Sequence, residues 1–334
     1  MFRTVAAGMP PALARLVGRP AALFFHGVEK EISDQELQFN HHTLERFHAI
    51  ASALKVHFDV APIGDLAHVL KNPQKHARTV FLMADDGYTN NLNIAADVLE
   101  DVGLPWTLFV STKHIDTGER NPMFVARLFL KIAPDGAYQI PHLDADIRLS
   151  KSRQAVTSAV FRELRNLPGE KASEAVDAML AVLAKLGLLR KVLEYQSEAF
   201  LDWDGVRELA RRGVTIGAHA HYHWALHAGE SPEFLKQQAE LPKARIEAEI
   251  GRTCHHFAYP FGNDTDICAA AWRAVRDAGY EYGFTTMSGA LGSGLNPWLL
   301  PRYGLEPREP NLAATVPLLR LGNRRMARWQ AALG

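Results

Sequence analysis

Two adjacent carboxylates, Asp85 and Asp86, follow the apolar run Phe81–Ala84. Two charges side by side at the end of a buried strand are costly unless something compensates them. A divalent metal ion would compensate them, and one carboxylate could bind the ion while its neighbour stays free as a base. An exposed turn is the alternative, because Gly87 comes next. For this pair alone, both interpretations stay open.

Three histidines lie in the segment Gly217–His223, after another apolar run. His219 and His223 are four residues apart, so a helical turn would place both imidazoles on one face, where they can bind one metal ion. His221 would then point elsewhere. A polar loop with solvated histidines is the alternative. One carboxylate and two histidines leave an open coordination position, which a hydrolytic metal ion needs to hold water.

The elements that must position these residues alternate between short apolar runs and segments of helical periodicity. The predicted strands are Ala21–Phe25, Val80–Ala84, Trp106–Val110, Val214–Ala218, His255–Ala258, Tyr282–Thr286 and Leu299–Leu305. This alternation predicts an α/β fold, a distorted (β/α) barrel of about seven parallel strands. A doubly wound open sheet is the alternative.

Helical periodicity fills the segments between these strands. The predicted helices are Thr43–Leu54, Asn91–Val102, Trp203–Arg212, Glu233–Ile250 and Thr265–Ala278. In either architecture the active site lies at the carboxyl ends of the strands. Polar residues fall at or just after predicted strand ends, namely His26, Asp85, Asp86, His219 and Arg302.

The alternation lapses between residues 113 and 196, where two helices are predicted, near Ser152–Leu167 and Lys171–Leu188. We interpret this stretch as a helical insertion within a single catalytic domain of residues 1–334. An insertion between two catalytic strands lies beside the mouth of the site, so we expect it to shape that site. A peripheral decoration is the alternative.

Residues 313–334 contain four arginines and no acidic residue, which predicts a basic amphipathic helix. Such a helix is typical of peripheral membrane association. The alternative is a terminal helix whose apolar side packs on the barrel.

Composition excludes several classes of function. The 37 basic and 37 acidic side chains cancel, so no overall positive field attracts nucleic acid. Two cysteines cannot form a disulfide framework. Apolar runs of signal-peptide or membrane-spanning length are missing from the sequence. We therefore expect a cytoplasmic protein, at the inner face of the membrane if the C-terminal helix binds there.

Taken in order, these segments resemble the polysaccharide deacetylase family of carbohydrate esterases. The resemblance spans residues 23–306 and includes FFHGV, DDGY, GLPWTLFVST, DWDGVRELARRGVTIGAHAHYH, EIGRTCHHFAYPFGN and LPRYGLE. It implies a metal-dependent hydrolase that removes an N-acetyl group from an amino sugar in an envelope, exopolysaccharide or lipid-linked glycan precursor. The alternatives are a sugar N-deformylase, another metal hydrolase such as an esterase, and a catalytically silent glycan-binding module.

The resemblance also implies roles for individual residues. Asp85 matches the catalytic base, and Asp86, His219 and His223 match the ligands of one divalent metal ion, for which zinc is expected. The backbone N–H of Phe261 matches the donor that stabilises the oxyanion.

Three positions depart from the family's pattern. Ala258 stands where many members carry the arginine that orients the catalytic aspartate, and we predict that Arg302 replaces it, with a surface arginine as the alternative. Ala220 stands where a Ser or Thr often supports the metal loop. The usual histidine acid of a late strand is missing, because all 15 histidines lie at or before His256. His26 is our candidate for that acid, and an inert structural histidine is the alternative.

Overall fold

A largely parallel β-sheet forms the centre of the molecule, in a computed structural model that describes residues 19–144, 147–150, 152–307 and 323–333. Within these residues the strands are β1 (Ala21–Phe25), β2 (Gly27–Glu29), β3 (His41–Thr43), β4 (Asp59–Val60), β5 (Thr79–Ala84), β6 (Trp106–Val110), β7 (Gly136–Tyr138), β8 (Ile147–Leu149), β9 (Thr215–Ala218), β10 (His256–Ala258), β11 (Tyr282–Phe284) and β12 (Tyr303–Gly304).

Helices connect and cover these strands. The α-helices of the described residues are α1 (Leu44–His57), α2 (Leu66–Lys71), α3 (Ala96–Val102), α4 (Thr112–Thr117), α5 (Pro122–Ile132), α6 (Gln154–Asn166), α7 (Gly169–Lys185), α8 (Arg190–Glu194), α9 (Trp203–Arg211), α10 (Pro232–Ile250), α11 (Ala269–Asp277) and α12 (Asn323–Leu333). A π-helical turn, Asn91–Ala95, leads directly into α3.

The main sheet has the strand order β11-β10-β9-β6-β5-β1-β12, with β4 paired to β5. Its described strand pairs are parallel. A parallel bridge between Phe284 and Leu300 joins the two ends of this order, so the sheet curls towards closure. The predicted fold class, a distorted (β/α) barrel, is confirmed.

Strand positions follow the apolar runs closely. Ala21–Phe25 and Trp106–Val110 are strands over the predicted residues. Both are buried along their whole length, which is why they are continuous apolar runs rather than alternating ones. The last strand is shorter than the predicted Leu299–Leu305 and covers Tyr303–Gly304. Pro301 lacks an N–H for the strand ladder, which explains the shortening.

Several elements carry no clear periodic signal and were not predicted, namely the pairs β2–β3 and β7–β8 and the helices α2, α4 and α5. α5 is a nearly continuous run of buried residues, and such a short apolar run cannot be told from a buried strand by its pattern alone. The helix predicted from Thr265 begins at Ala269, after Cys268 at its N-cap.

Residues 113–196 contain more structure than the two predicted helices. α6 and α7 match those predictions within a few residues, and the described part of the stretch also holds α5, α8 and the β7–β8 hairpin. α5 packs against both α6 and α7. The interpretation of this stretch as an insertion within one domain stays a prediction.

The C-terminal helix α12 packs on the barrel. Met326 is fully buried, the Trp329 indole donates to the Asp264 carbonyl at 3.1 Å, and the Gln330 side chain donates to the Leu299 carbonyl at 2.8 Å. Residues 313–322 of the predicted helix lie outside the described part of the chain. Membrane association stays a prediction, which co-sedimentation with anionic vesicles would test. None of the described helices is both long enough and apolar enough to span a bilayer.

Gly283 of β11 lets the closing segment of the barrel approach closely. A Cβ there would lie 2.3 Å from the Trp298 backbone oxygen. We predict that Gly283→Ala lowers the free energy of unfolding by about 1–3 kcal/mol, as overpacking does, in a denaturant titration. Gly64→Ala is the matched control, because a Cβ at Gly64 meets nothing within 4 Å. Equal stability of the two variants would contradict this packing role.

Candidate active site

A cleft of about 640 Å³ opens at the carboxyl ends of the barrel strands. Parallel strands direct their carboxyl ends to the same side, so residues that are distant in sequence meet there. Six of the residues predicted for the site line this cleft together: His26, Asp85, Asp86, His219, His223 and Phe261. Arg302, the seventh, lies fully buried against Asp85.

Asp86, His219 and His223 form a buried cluster, and one ligand atom from each lies within 4.8 Å of the others. Asp86 Oδ1 is 2.9 Å from His223 Nε2 and 3.4 Å from His219 Nε2. One carboxylate oxygen and two imidazole nitrogens are a donor set that zinc prefers. The residues therefore fit one divalent ion.

Contacts of their Nδ1 atoms orient the imidazoles of His219 and His223. His219 Nδ1 donates to the Ala258 carbonyl at 2.8 Å, which leaves the Nε2 lone pair directed towards Asp86. The Asn121 side-chain amide lies 3.5 Å from His223 Nδ1. Fixed tautomers of this kind are typical of histidines that bind metal ions.

The segment 219–223 is an irregular loop, so the two imidazoles are brought together without the helical turn considered above. Ala220 and His223 have left-handed backbone conformations, with φ of 57° and 58°. These two left-handed conformations bring the rings of His219 and His223 to a centroid distance of 5.0 Å. Asp86 has a positive φ of 79° as well. Such conformations cost about 1–3 kcal/mol each and persist only where surrounding contacts hold them.

Gln238 and Ser111 supply such contacts, and neither was predicted. Gln238 Oε1 accepts hydrogen bonds from the backbone N–H groups of His221 and Tyr222, at 3.1 and 2.9 Å. The Ser111 hydroxyl donates to the His219 carbonyl at 2.7 Å. They support the loop in place of the Ser or Thr side chain that Ala220 lacks. Nothing in the sequence marks Gln238, because it lies in the middle of the long helix α10.

Arg302 and Asp85 form a buried bidentate ion pair, with both nitrogen–oxygen distances at 2.8 Å. Arg302 Nε also donates to the Thr285 carbonyl at 3.0 Å, and the guanidinium lies 4.4 Å from the centroid of the Phe24 ring. The predicted contact is therefore present, and the alternative of a surface arginine is wrong, since Arg302 is fully buried.

The ion pair determines the charge of Asp85. Burial alone would raise the pKa of the Asp85 carboxyl, but Arg302 and, to a lesser extent, His219 outweigh burial and hold that pKa below its ordinary value. Asp85 is therefore ionised at neutral pH, as a general base must be.

His26 and Phe261 complete the cleft wall. The His26 carbonyl accepts a hydrogen bond from Asn91 Nδ2 at 2.7 Å, which fixes the backbone at the end of β1. Phe261 has a positive φ of 59°, and its carbonyl accepts a hydrogen bond from the Thr286 hydroxyl. Their roles as acid and oxyanion donor stay predictions.

Glu198 is a buried cleft residue that was not predicted. Burial, with a smaller contribution from the charge of Asp86, raises its pKa to about 8. His41 Nδ1 lies 3.6 Å from Glu198 Oε1, and burial lowers the pKa of His41 to about 4. His41 is therefore neutral at pH 7. Glu198 ends a short 3-10 turn, Gln196–Glu198, just after the stretch 113–196, and no periodic pattern marks it.

Much of one cleft wall comes from the stretch 113–196. Its lining residues are Asn121, Met123, Phe124, Arg127, Phe161 and Arg165. This arrangement agrees with the expectation that the stretch shapes the site.

Comparison with protein families finds a match between residues 166–283 and the family model described as polysaccharide deacetylase. The match includes His219, His223 and Phe261, whereas Asp85 and Asp86 come from an earlier part of the chain. The curated proteins contain no sequence match to this chain.

Solved structures share the fold at low sequence identity. The Streptococcus pyogenes deacetylase PplD, in complex with acetate, has a TM-score of 0.58 at 14% identity, over 89% of this chain and 98% of that one. IcaB from Ammonifex degensii has a TM-score of 0.54 at 14% identity, over 90% and 97%. The putative polysaccharide deacetylase BA0330 from Bacillus anthracis has a TM-score of 0.55 at 13% identity, over 90% and 69%.

These structural similarities by themselves show the fold. With the family match, they confirm the predicted resemblance: the chain has the fold of polysaccharide deacetylases and matches their family model over residues 166–283. The two comparisons together support a deacetylase function.

Metal content tests the cluster. We predict that the wild type holds one zinc ion per chain after gel filtration and that a His219→Ala, His223→Ala double variant holds none, because two of three ligands are gone. Elemental mass spectrometry of the purified proteins measures this. His48→Ala, on the exposed side of α1, is the control and should keep the ion. Full metal content in the double variant would rule out these ligands.

Arg302→Met tests the ion pair. Without the adjacent cation the folded-state pKa of Asp85 rises, so we predict that the acidic limb of the pH–rate profile moves to higher pH. The unpaired buried carboxylate should also lower stability at neutral pH by about 3–5 kcal/mol.

A double variant, Asp85→Asn with Arg302→Met, is the control for folding because it removes both charges. Wild-type stability should fall as the pH drops through the lowered folded-state pKa of Asp85, and the double variant should not show that loss. An unchanged acidic limb in the single variant would leave Arg302 without influence on the base.

Proposed function

We propose that this chain is a metal-dependent hydrolase that removes an N-acetyl group from an amino sugar in a glycan or a glycan precursor. One observation carries the proposal: the cluster of Asp86, His219 and His223 lies in the same cleft as Asp85, a buried and ionised carboxylate. A silent glycan-binding module on this scaffold would have no use for a separate ionised base beside a metal-binding cluster. The arrangement therefore favours hydrolysis over binding alone.

The metal cluster and its neighbours divide the chemistry of amide hydrolysis. Asp86, His219 and His223 would hold a divalent ion, which would supply a Lewis acid for the amide carbonyl and lower the pKa of a water molecule. Asp85 accepts a proton from the water molecule while the water oxygen forms a bond to the carbonyl carbon. Arg302 keeps that carboxylate ionised and holds its orientation.

Two further residues act on the substrate atoms. The Phe261 N–H donates a hydrogen bond to the carbonyl oxygen as that oxygen gains negative charge. His26 donates a proton to the leaving nitrogen as the carbon–nitrogen bond breaks. The products are acetate and an amino sugar. Acetate is bound in the solved structure of the similar S. pyogenes deacetylase, which supports an acetyl group as the group removed.

Asp85→Asn tests this division of roles. The amide cannot accept the proton of water, so we predict that kcat falls by about 10²–10⁴ while one zinc ion is retained. The measurement is acetate release from an N-acetylglucosamine tetramer, with metal content determined on the same sample. A near-normal rate in Asp85→Asn would mean that another residue is the base.

The same assay separates the alternatives. A zinc-loaded wild type that binds the tetramer but releases no acetate would indicate a glycan-binding module. Faster cleavage of the N-formyl than of the N-acetyl substrate would indicate a deformylase.

A further inference from the structure

Arg127 is out of place in its helix unless it has a function in the cleft. Residues 122–130 of α5 are buried except for Arg127, which is half-buried and lines the cleft. Because charged side chains are rarely placed on otherwise buried helices without a partner, Arg127 requires an explanation.

Two aromatic rings cover the faces of this guanidinium. Its central carbon lies 4.3 Å from the centroid of Phe39 and 4.5 Å from that of Phe161. Stacking on aromatic faces leaves the N–H groups at the edge of the guanidinium plane free to donate. Phe39 is 45% exposed, so this stack lies at the open side of the cleft.

Arg127 has no ion-pair partner among the residues that the structure describes. Arg165 and Arg302 pair with Asp266 and Asp85, whereas Arg127 forms no ion pair with any carboxylate in the part of the chain that the structure describes. Two carboxyl groups are near enough to act on Arg127 through their charges, Glu36 and Glu198.

Neither of these carboxyl groups forms an ion pair with Arg127. Glu36 is paired with Lys131 at 3.2 Å, and Glu198 Oε1 lies 3.6 Å from His41 Nδ1. Burial lowers the pKa of the Arg127 guanidinium, which nevertheless remains charged. A partly buried cation that forms no ion pair with the described residues therefore faces the cleft.

We propose that Arg127 binds an anionic group, a phosphate or a carboxylate, that the substrate carries beside its N-acyl amino sugar. The planar guanidinium fork matches the oxygens of either group in a bidentate contact. The inference rests on the proposed function and adds to it a substrate class: acidic N-acyl amino sugars, in preference to neutral polymers.

Binding measurements test this without requiring turnover. Calorimetry in an Asp85→Asn background compares three probes: methyl N-acetylglucosaminide, which is neutral, N-acetylglucosamine 1-phosphate and N-acetylmuramic acid, which carries a carboxylate. We expect at least one anionic probe to bind about ten-fold to a hundred-fold more tightly than the neutral one, the range of a charge-assisted hydrogen bond. The probe that shows this preference identifies the anion as phosphate or carboxylate.

Variants at Arg127 test whether this residue causes the preference for an anionic probe. Arg127→Gln should abolish it and leave the affinity for the neutral probe unchanged, and Arg127→Lys should retain part of it, because a point charge remains without the fork. Arg162→Gln, on the exposed surface of α6, is the matched control and should change nothing.

Two outcomes would overturn the proposal: no preference for either anion before substitution, or an equal loss of all three probes in Arg127→Gln. Failure of the proposed function gives a different result. The anion preference would then persist in the binding measurements, while the wild type would release no acetate from any of the three probes.

Discussion

Asp85 and Arg302 lie 217 positions apart in the chain, and their buried ion pair forms only when the segment after β5 and the segment before β12 meet at the same end of the barrel. The pair therefore links closure of the fold to the charge of the candidate base. A buried charge without its partner is strongly unfavourable, so each residue needs the other. Arg302 also bonds to the Thr285 carbonyl next to β11, which ties the guanidinium to a neighbouring strand end.

The cluster of Asp86, His219 and His223 depends on unusual backbone conformations rather than on regular secondary structure. Asp86 and His223 have left-handed backbone conformations, as does Ala220 between the two histidines. These conformations are unfavourable for residues with a side chain and are held by hydrogen bonds from other elements, among them those of Ser111 and Gln238. The barrel strands thus fix where the loops begin, and the loops after β5 and β9 direct Asp86, His219 and His223 into one cleft.

Features determined by local sequence were predicted well. A buried parallel strand reads as an apolar run, so Ala21–Phe25 and Trp106–Val110 matched, and the polar residue after such a run lies at the site by topology. The contact of Arg302 with Asp85 was predicted because Ala258 stands where many family members carry an arginine. The positions of Arg127 and Glu198 in the cleft were not predicted, because they depend on how α5 and a short 3-10 turn pack beside the strand ends.

Zinc titration of the metal-stripped wild type, with acetate release from an N-acetylglucosamine tetramer as the readout, tests most directly whether the cluster and the base form one hydrolytic centre. The geometry predicts that the stripped protein is inactive and that activity rises with added zinc to a plateau at one equivalent per chain, since Asp86, His219 and His223 fit a single ion. Full activity of the stripped protein, with zinc adding nothing, would contradict a metal-dependent mechanism at this cleft.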